Sequence, residues 1–182
     1  GRNAIVVAPN ANASVTAEEV DVMRPYFERA EVAVFQLQIN ADAVARAMYL
    51  ARECGAKVIL NPAPACEIPD EMFTLADYVT PNETETEFFT GVYRDQTPLS
   101  EWRERAAKAL HARGAKNVII TMGGEGAYFS GTDEAFMMPA FRISAVDTTA
   151  AGDAFNGGLA VRLAAGDGIR PAMRYASACG AI

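Results

Sequence analysis

Short apolar runs alternate with longer amphipathic segments along most of this chain, and that alternation constrains its fold more than any other feature. The apolar runs predict buried strands at residues 3–8, 32–35, 57–60, 78–80 and 117–122. The segments around them predict helices at residues 16–30, 40–55, 82–89 and 99–113. Strands joined by helices form right-handed βαβ units, whose parallel sheet is covered on both faces. The chain is therefore predicted to fold as a three-layer α-β-α sandwich with a mostly parallel central sheet.

Local signals refine this pattern at several element ends. Thr16 and Glu19 have the spacing of a capping box, and Pro25 is expected to kink or split the helix that follows. Asn40 is predicted to cap the next helix. The remaining predicted elements are a β-hairpin and two C-terminal helices. The strands of the hairpin are expected at residues 127–130 and 135–138, the first helix at residues 153–165 and the second from about residue 171.

Composition narrows the class of protein. With 182 residues, 51% of them hydrophobic, the chain can bury the core of one ordinary domain. Its net charge of −7 argues against a nucleic-acid or anionic-membrane partner, although helix N-termini still bind the phosphates of a nucleotide. No run is long and apolar enough to span a bilayer. The three cysteines lack metal-type spacing, which is typical of reduced thiols in a cytoplasmic protein: Cys54, Cys66 and Cys179.

The segment 145–158 carries the strongest chemical signal. It is a loop of small residues that ends at Asp153 and opens directly into a helix. The first amides of that helix, at Ala151, Gly152 and Asp153, are expected to point the same way and to form an anion site. A carboxylate among those donors could accept a proton from a nucleophile while the donors hold a phosphoryl group. The plain alternative is that Asp153 only caps the helix.

Two other loops carry weaker signals. Asn82 and Glu85 have the spacing of a capping box, and the same pair could lie near nucleotide phosphates and place Mg²⁺ through water. The glycines of residues 121–126 allow close approach of the backbone to phosphate or ribose. That loop lacks the features of a Walker loop or a dinucleotide fingerprint, and an ordinary β-turn explains it equally well.

Taken together, these segments resemble one family. Residues 147–155 resemble the D-T-x-x-A-G-D-x-F signature of the ribokinase-type (PfkB) carbohydrate kinases. Three further landmarks of that family occur in the family's order, at residues 61–65, 80–85 and 121–126. The resemblance covers essentially the whole chain and implies one α/β domain, residues 1–182, that corresponds to the later two-thirds of such a kinase and is truncated at both ends. The family's lid sheet and sugar-binding glycines are then expected outside this chain.

The resemblance implies ATP-dependent phosphorylation of a sugar hydroxyl. Asp153 would be the general base, and the adjoining Ala150, Ala151 and Gly152 would complete the catalytic loop and its anion hole. The residues implied at the nucleotide, two of them acting through Mg²⁺, are Asn82, Glu85, Thr121, Gly123, Gly124, Glu125, Gly126, Gly152 and Ser177. Asp147 and Thr149 would help to hold a monovalent cation such as K⁺, although ordinary turn chemistry accounts for them equally.

One departure from the family bears on the substrate. The family usually has an acidic residue at the position of Gln38, where it reaches the sugar. Gln38 therefore leaves open whether the acceptor is ribose or another alcohol such as fructose, a nucleoside or a deoxysugar. A non-catalytic nucleotide-binding module is the remaining alternative, because the sugar-binding segment is expected outside this chain. For the full-length protein the resemblance implies a cytoplasmic homodimer that binds a sugar and ATP.

Overall fold

The computed structural model describes residues 10–143 and 148–181. Within them, six strands form one mixed sheet whose spatial order is their order along the chain. The first four strands are parallel, and the last two form an antiparallel hairpin that extends the sheet beyond the fourth. The strands are β1 Val32–Phe35, β2 Lys57–Leu60, β3 Tyr78–Val79, β4 Val118–Thr121, β5 Ala127–Ser130 and β6 Ala135–Met138. The predicted α/β class and mostly parallel sheet are confirmed.

Helices cover both faces of this sheet. Those found within the described residues are α1 Ala17–Asp21, α2 Arg24–Phe27, α3 Ala41–Glu53, α4 Asp70–Leu75, α5 Glu83–Thr90, α6 Leu99–Ala112, α7 Ala151–Ala164 and α8 Ile169–Cys179. Most buried apolar residues of α3 to α6 lie in one hydrophobic core, and those of α7 and α8 lie in another. Ala43, Ala47 and Leu50 of α3 form a third, smaller cluster with Val20 of α1. The structure therefore has the three layers that the sequence predicts.

Alternation along the strands divides the side chains between the two cores. Val58 and Leu60 of β2 pack with Trp102 in the core beneath α3 to α6. Ile59, which lies between them, packs with Leu159 in the core beneath α7 and α8. Because successive side chains of a strand point to opposite faces, both faces of the sheet must be covered.

The first predicted helix is divided in two. The capping box is confirmed, since the Glu19 amide donates to Thr16 Oγ1 and the Thr16 amide donates to a Glu19 carboxylate oxygen. Helix α1 ends at Asp21, and α2 begins at Arg24 with Pro25 in its first turn. Proline lacks an amide hydrogen and clashes within a helix interior, but it fits a first turn. Pro25 therefore splits the segment.

Two other predictions about elements, and one helix that the sequence did not predict, have different outcomes. Asn40 occupies the N-cap position of α3, but its side chain does not cap the helix and donates to the carbonyls of Ala13 and Val15. Helix α4 was not predicted, because its six residues are too few to show a periodicity and its burial comes from tertiary packing. The strand predicted at residues 3–8 lies outside the described residues.

The carboxyl ends of β1 to β4 lie at one edge of the sheet, because these strands are parallel. Backbone bonds continue the pairing just past the strands: the Asn61 amide donates to the Phe35 carbonyl at 2.8 Å, and the Thr80 amide donates to the Leu60 carbonyl at 2.9 Å. Open parallel sheets bind ligands at this edge. None of the helices in the described ranges is long and apolar enough to cross a membrane.

Candidate active site

Helix α7 begins at this edge without a side-chain cap. Its N-cap residue is Ala150, whose φ of 62° and ψ of 9° place a non-glycine residue in the left-handed region. The Ala154 amide donates to the Ala150 carbonyl at 2.9 Å, and the Ala151 amide donates to the Thr148 carbonyl at 3.2 Å. The expectation that Ala151 offers a free amide is therefore wrong. The amides of Gly152 and Asp153 are the ones left to hold an anion, as no acceptor for them is described in residues 10–143 and 148–181.

The side chain of Asp153 accepts a hydrogen bond from a residue that is distant in the sequence. Gln36 Nε2 donates to Asp153 Oδ1 at 2.7 Å. Gln36 immediately follows β1, so it belongs to the strand end in which the sequence singled out Gln38. Gln38 itself is exposed, and its assignment to the sugar stays a prediction. The sequence signal that could have found Gln36 is its position as the first residue after a parallel strand.

A cleft of about 350 Å³ opens beside this contact. Its lining combines the carboxyl ends of β1 and β2 with one side of α7: Val34, Gln36, Asn61, Asp153, Asn156 and Gly157. We call it the Asp153 cleft. Three side-chain amides and one carboxylate line it, and neutral amides both donate and accept hydrogen bonds. Such a lining suits a ligand that carries several hydroxyl groups.

A second cleft of about 490 Å³ lies on the other side of the α7 start. Seven residues that the sequence assigned to the nucleotide or the anion hole line it: Thr121, Gly123, Gly124, Gly126, Ala151, Gly152 and Ser177. We call it the glycine-loop cleft, and its lining also includes Phe141, Ile143 and Phe155. The lining combines small residues, whose backbone a phosphate can approach, with apolar side chains and with Arg142, and this combination suits the phosphates and the base of a nucleotide.

The glycines of this cleft lack a side chain for different structural reasons. At Gly126, φ is 100°, and an added Cβ would lie 2.1 Å from the Met138 carbonyl oxygen, so the fold itself requires glycine there. At Gly124 and Gly152, an added Cβ would meet nothing within 4 Å and φ is not positive. At these two positions glycine is not needed to avoid a clash or to adopt a positive φ. Its effect is to leave open space beside the backbone.

Asn82 and Glu85 form a closed capping box at the start of α5. The Glu85 amide donates to Asn82 Oδ1 at 2.9 Å, while the Asn82 amide and Nδ2 each donate to one Glu85 carboxylate oxygen at 2.8 Å. Glu85 is buried, and this burial raises the pKa of its carboxyl group, although the hydrogen bonds from Asn82 act in the opposite direction. The predicted capping box is confirmed, and the proposed action on Mg²⁺ through water stays a prediction.

Arg94 links α5 to the glycine-rich loop. It pairs with Glu83 in the first turn of α5 and, at 2.5 Å, with Glu125. Glu125, which the sequence assigned to the nucleotide, therefore reaches Arg94 and does not line the glycine-loop cleft. Arg94 was missed because it follows α5 in a segment without a motif.

Two buried polar side chains are hydrogen-bonded to each other and to the first turn of α7. Thr80, which follows β3, donates from Oγ1 to Asn156 Oδ1 at 2.7 Å, and Asn156 Nδ2 donates to the Gly152 carbonyl at 2.9 Å. Thr80 is 2% exposed and Asn156 is 5% exposed. The pair joins the end of a strand to the carbonyl of a residue in the anion loop, and the sequence motifs gave no indication of it.

The remaining predicted site concerns metal ions. Asp147 lies outside the described residues. Thr149 is described and exposed, and it makes an interaction of its own. In the part of the chain that the structure describes, no group of three or more His, Cys, Asp or Glu side chains is placed to hold a metal ion. The monovalent-cation site at Asp147 and Thr149 therefore stays a prediction.

Two known proteins of similar sequence are sugar kinases by name. The chain is 42% identical over 179 residues to the bifunctional ribokinase/ribose-5-phosphate isomerase A of Fructilactobacillus sanfranciscensis, an alignment that covers 97% of this chain and 32% of that relative. It is 36% identical over 156 residues to the deoxyribokinase of Salmonella typhi, covering 85% of this chain and 50% of that relative.

A solved structure and a family match also relate this chain to carbohydrate kinases. The crystal structure of a ribokinase from Thermotoga maritima matches with a TM-score of 0.86 and 34% sequence identity, covering 100% of this chain and 59% of that one. The chain thus spans less than two thirds of the length of each of these three proteins. The match to the family description "pfkB family carbohydrate kinase" extends over residues 1–182. The chain belongs to the pfkB family of carbohydrate kinases.

Proposed function

We propose that this protein transfers the γ-phosphoryl group of ATP to a hydroxyl group of a sugar. One observation carries the proposal: two consecutive residues at the open start of α7 line two different clefts. Asp153 lines the Asp153 cleft, and Gly152 lines the glycine-loop cleft. A group that moves from a ligand in one cleft to a ligand in the other would cross this helix start, where amides favour negative charge.

The chemistry follows from that placement. The acceptor hydroxyl oxygen attacks the γ-phosphorus, the bond from the γ-phosphorus to the bridging oxygen of ADP breaks, and the hydroxyl proton passes to the Asp153 carboxylate. The amides of Gly152 and Asp153 stabilise charge on the phosphoryl oxygens as it is transferred. Phosphoryl transfer depends mainly on positioning and charge stabilisation, which are what a helix start between two clefts supplies.

Mg²⁺ is expected with ATP, and it would supply charge neutralisation between the phosphates. Direct binding by Glu85 does not fit, because that carboxylate is buried and both of its oxygens accept hydrogen bonds from Asn82. Contact through water is compatible with the preference of Mg²⁺ for keeping its waters. We therefore assign Asn82 and Glu85 at most a water-mediated role.

A monovalent cation such as K⁺, near Asp147 and Thr149, is a separate proposal. A comparison of the reaction rates in K⁺ and in Na⁺ tests it.

The acceptor class follows from the clefts and the relatives together. Among residues 10–143 and 148–181, no basic side chain lines the amide-lined Asp153 cleft, which suits an uncharged polyol better than a sugar phosphate. Relatives of similar identity act, by their names, on ribose and on deoxyribose, so these two pentoses are the first acceptors to test. Gln38 stays our candidate for choosing between them, because it stands where the family usually has an acidic residue.

The test uses the protein expressed from its complete reading frame. Asp153→Asn keeps the shape of the side chain but removes the base, so kcat with the best sugar should fall by about 10²- to 10⁴-fold while the KM for ATP changes little. Asp133→Asn, in the exposed turn between β5 and β6, is the matched control and should behave as the wild type. A coupled assay of ADP formation measures both variants.

The same assay separates the alternatives. A panel of ribose, deoxyribose, fructose and a nucleoside identifies the acceptor class. If the wild type binds ATP by calorimetry but phosphorylates none of them, the protein is a nucleotide-binding module and the proposal is wrong. If Asp153→Asn retains the wild-type kcat, the assignment of the base is wrong even though the kinase activity stands.

A further inference from the structure

Gln36 is the one side chain described as bonding to the Asp153 carboxylate, within residues 10–143 and 148–181. The two residues are 117 positions apart, and no motif in the sequence joins them. Their contact runs from Gln36 Nε2 to Asp153 Oδ1 and measures 2.7 Å. A carboxylate that must meet a substrate hydroxyl in one orientation is thus already held through one of its two oxygens.

The backbone that carries Gln36 is fixed on both sides. The preceding carbonyl, of Phe35, accepts from the Asn61 amide at 2.8 Å, and the following amide, of Leu37, donates to the Ala63 carbonyl at 2.8 Å. The Leu37 side chain is buried in the core beneath α3 to α6. Gln36 is therefore presented from a rigid strand end, and its side chain is partly buried rather than free in solvent.

The chemistry of the donor also matters. A carboxylate offers about four acceptor positions, so one bond to Oδ1 leaves Oδ2 for a substrate hydroxyl. A neutral amide orients the carboxylate without bringing a positive charge to it. An arginine or lysine in the same place would stabilise the charged carboxylate more strongly and so weaken it as a base.

We propose that Gln36 is a positioning residue, which fixes Asp153 through Oδ1 so that Oδ2 faces the acceptor hydroxyl in the Asp153 cleft. The proposal rests on the proposed function of Asp153 as the base. Gln36 then acts on the rate of the chemical step and not on the affinity for either substrate, because its bond is to the enzyme's own carboxylate.

Two substitutions in the full-length protein test this role. Gln36→Met keeps the length of the side chain without a donor, and Gln36→Glu keeps its shape but places a second carboxylate against Asp153. Misorienting the reacting group should lower kcat by about 10- to 100-fold in both variants, with KM for the sugar and for ATP within two-fold of the wild type. Gln96→Met, an exposed glutamine beyond α5, is the matched control and should leave kcat unchanged.

A double-mutant cycle distinguishes positioning from a general structural effect. In an Asp153→Ala background there is no carboxylate to orient, so Gln36→Met should change the residual rate by less than two-fold. The proposal is overturned if Gln36→Met lowers kcat equally in both backgrounds, or if it retains wild-type kcat. It is overturned as well if the substitution raises the sugar KM with kcat unchanged, since Gln36 would then be a sugar ligand.

A second test does not depend on activity, because it determines the orientation of the Asp153 side chain by crystallography. Crystal structures of the wild type and of Gln36→Met should show Asp153 in one orientation, bonded to Gln36, in the first protein and in a different or divided orientation in the second. The same orientation in both structures would refute the positioning role. If the wild type phosphorylates no sugar, the proposed function fails by itself, and the two structures still decide whether Gln36 orients Asp153.

Discussion

Helices α5 and α7 both begin at the carboxyl edge of the sheet, and their first turns are built in opposite ways. Helix α5 begins with a complete capping box, in which Asn82 and the buried Glu85 satisfy each other through three hydrogen bonds. Helix α7 has Ala150 in a left-handed conformation at its N-cap and no side-chain cap, and Gly152 and Asp153 in its first turn are exposed. One helix start is closed by its own side chains, and the other is left open.

This difference indicates where an anion can bind. Every helix start presents amides without partners, and a capping side chain uses some of them. At α5 the chain itself provides the acceptors, which stabilises the fold but leaves little for a ligand. At α7 the left-handed Ala150 costs about 1–2 kcal/mol, the usual penalty for a residue with a Cβ in that region, and the turn is held from below by Asn156. An open turn of this kind is typical of a functional site.

The largest effect that would sharpen the comparison is expected at Gly152. A Cβ added there meets nothing within 4 Å, so Gly152→Ala should leave the melting temperature unchanged or slightly raised, since alanine favours a helix. The methyl group would occupy the space into which a phosphoryl group must come, and a displacement of about 1 Å can cost about 10²-fold in rate. We therefore expect kcat/KM for ATP to fall about 100-fold.

Gly168→Ala is the control for this variant. Gly168 is the N-cap residue of α8, with a φ of −68° and equally open space around it, but it lines neither cleft. Steady-state kinetics and thermal unfolding are measured on both variants. Wild-type kinetics in Gly152→Ala would show that the open start of α7 does not receive the phosphates.

The next effect concerns how α7 keeps its open start in place. Thr80→Val preserves the shape of the side chain but leaves the buried Asn156 Oδ1 without its donor. An unpaired buried polar group costs about 1–3 kcal/mol, and the free energy of unfolding in urea should fall by that amount. Thr80→Ser keeps the hydroxyl group and should restore most of the loss.

Thr74→Val provides the comparison for Thr80→Val. Thr74 lies in α4 and is exposed, and its one hydrogen bond described within residues 10–143 and 148–181 is a long one, of 3.4 Å, from its hydroxyl group to the Asp70 carbonyl. Its substitution should change the free energy of unfolding by less than about 0.5 kcal/mol. An equal loss in the two variants would mean that the Thr80–Asn156 bond contributes nothing special to the start of α7.

The smallest effect is expected at the closed start of α5 and depends on pH. Burial raises the pKa of Glu85 above its ordinary 4.5, so the folded protein holds that proton more tightly than the unfolded chain does. The contribution of Glu85 to stability is therefore full below pH 4.5 and declines as the pH rises through the folded-state pKa. Glu85→Gln lacks this decline, so the difference in melting temperature between wild type and variant should be most favourable to the wild type at low pH.

Glu101→Gln is the control for Glu85→Gln, since Glu101 also lies in the first turn of a helix but is exposed. Its melting temperature should differ from the wild type by a nearly constant amount over the same pH range. The dependence of the rate on Mg²⁺ is measured in parallel. A clear rise in the Mg²⁺ concentration for half-maximal rate in Glu85→Gln would support action on the metal through water, and would mean that the start of α5 is not closed to ligands.

Much of the fold was predictable because its signals are local. The apolar runs of β1 and β2, the hairpin of β5 and β6 and the two capping boxes depend on neighbouring residues, and the structure has them at or within two residues of the expected positions. The small residues before Asp153 likewise predicted a helix start suited to an anion. Helix α4 was not predictable, since six residues show no periodicity and only packing makes them helical.

The sequence by itself determined the local features of the candidate site: an acidic residue and small residues at a helix start, glycines after a strand, and a parallel sheet that brings them to one edge. Only the tertiary structure decided which residues meet there. It placed Gln36 against Asp153, paired Glu125 with Arg94, and joined Thr80 to Asn156 across 76 positions. The physical reason is the range of the interactions, because helix starts and strands follow from contacts within a few residues, whereas the partner of a side chain across the sheet is fixed only when the whole sheet has formed.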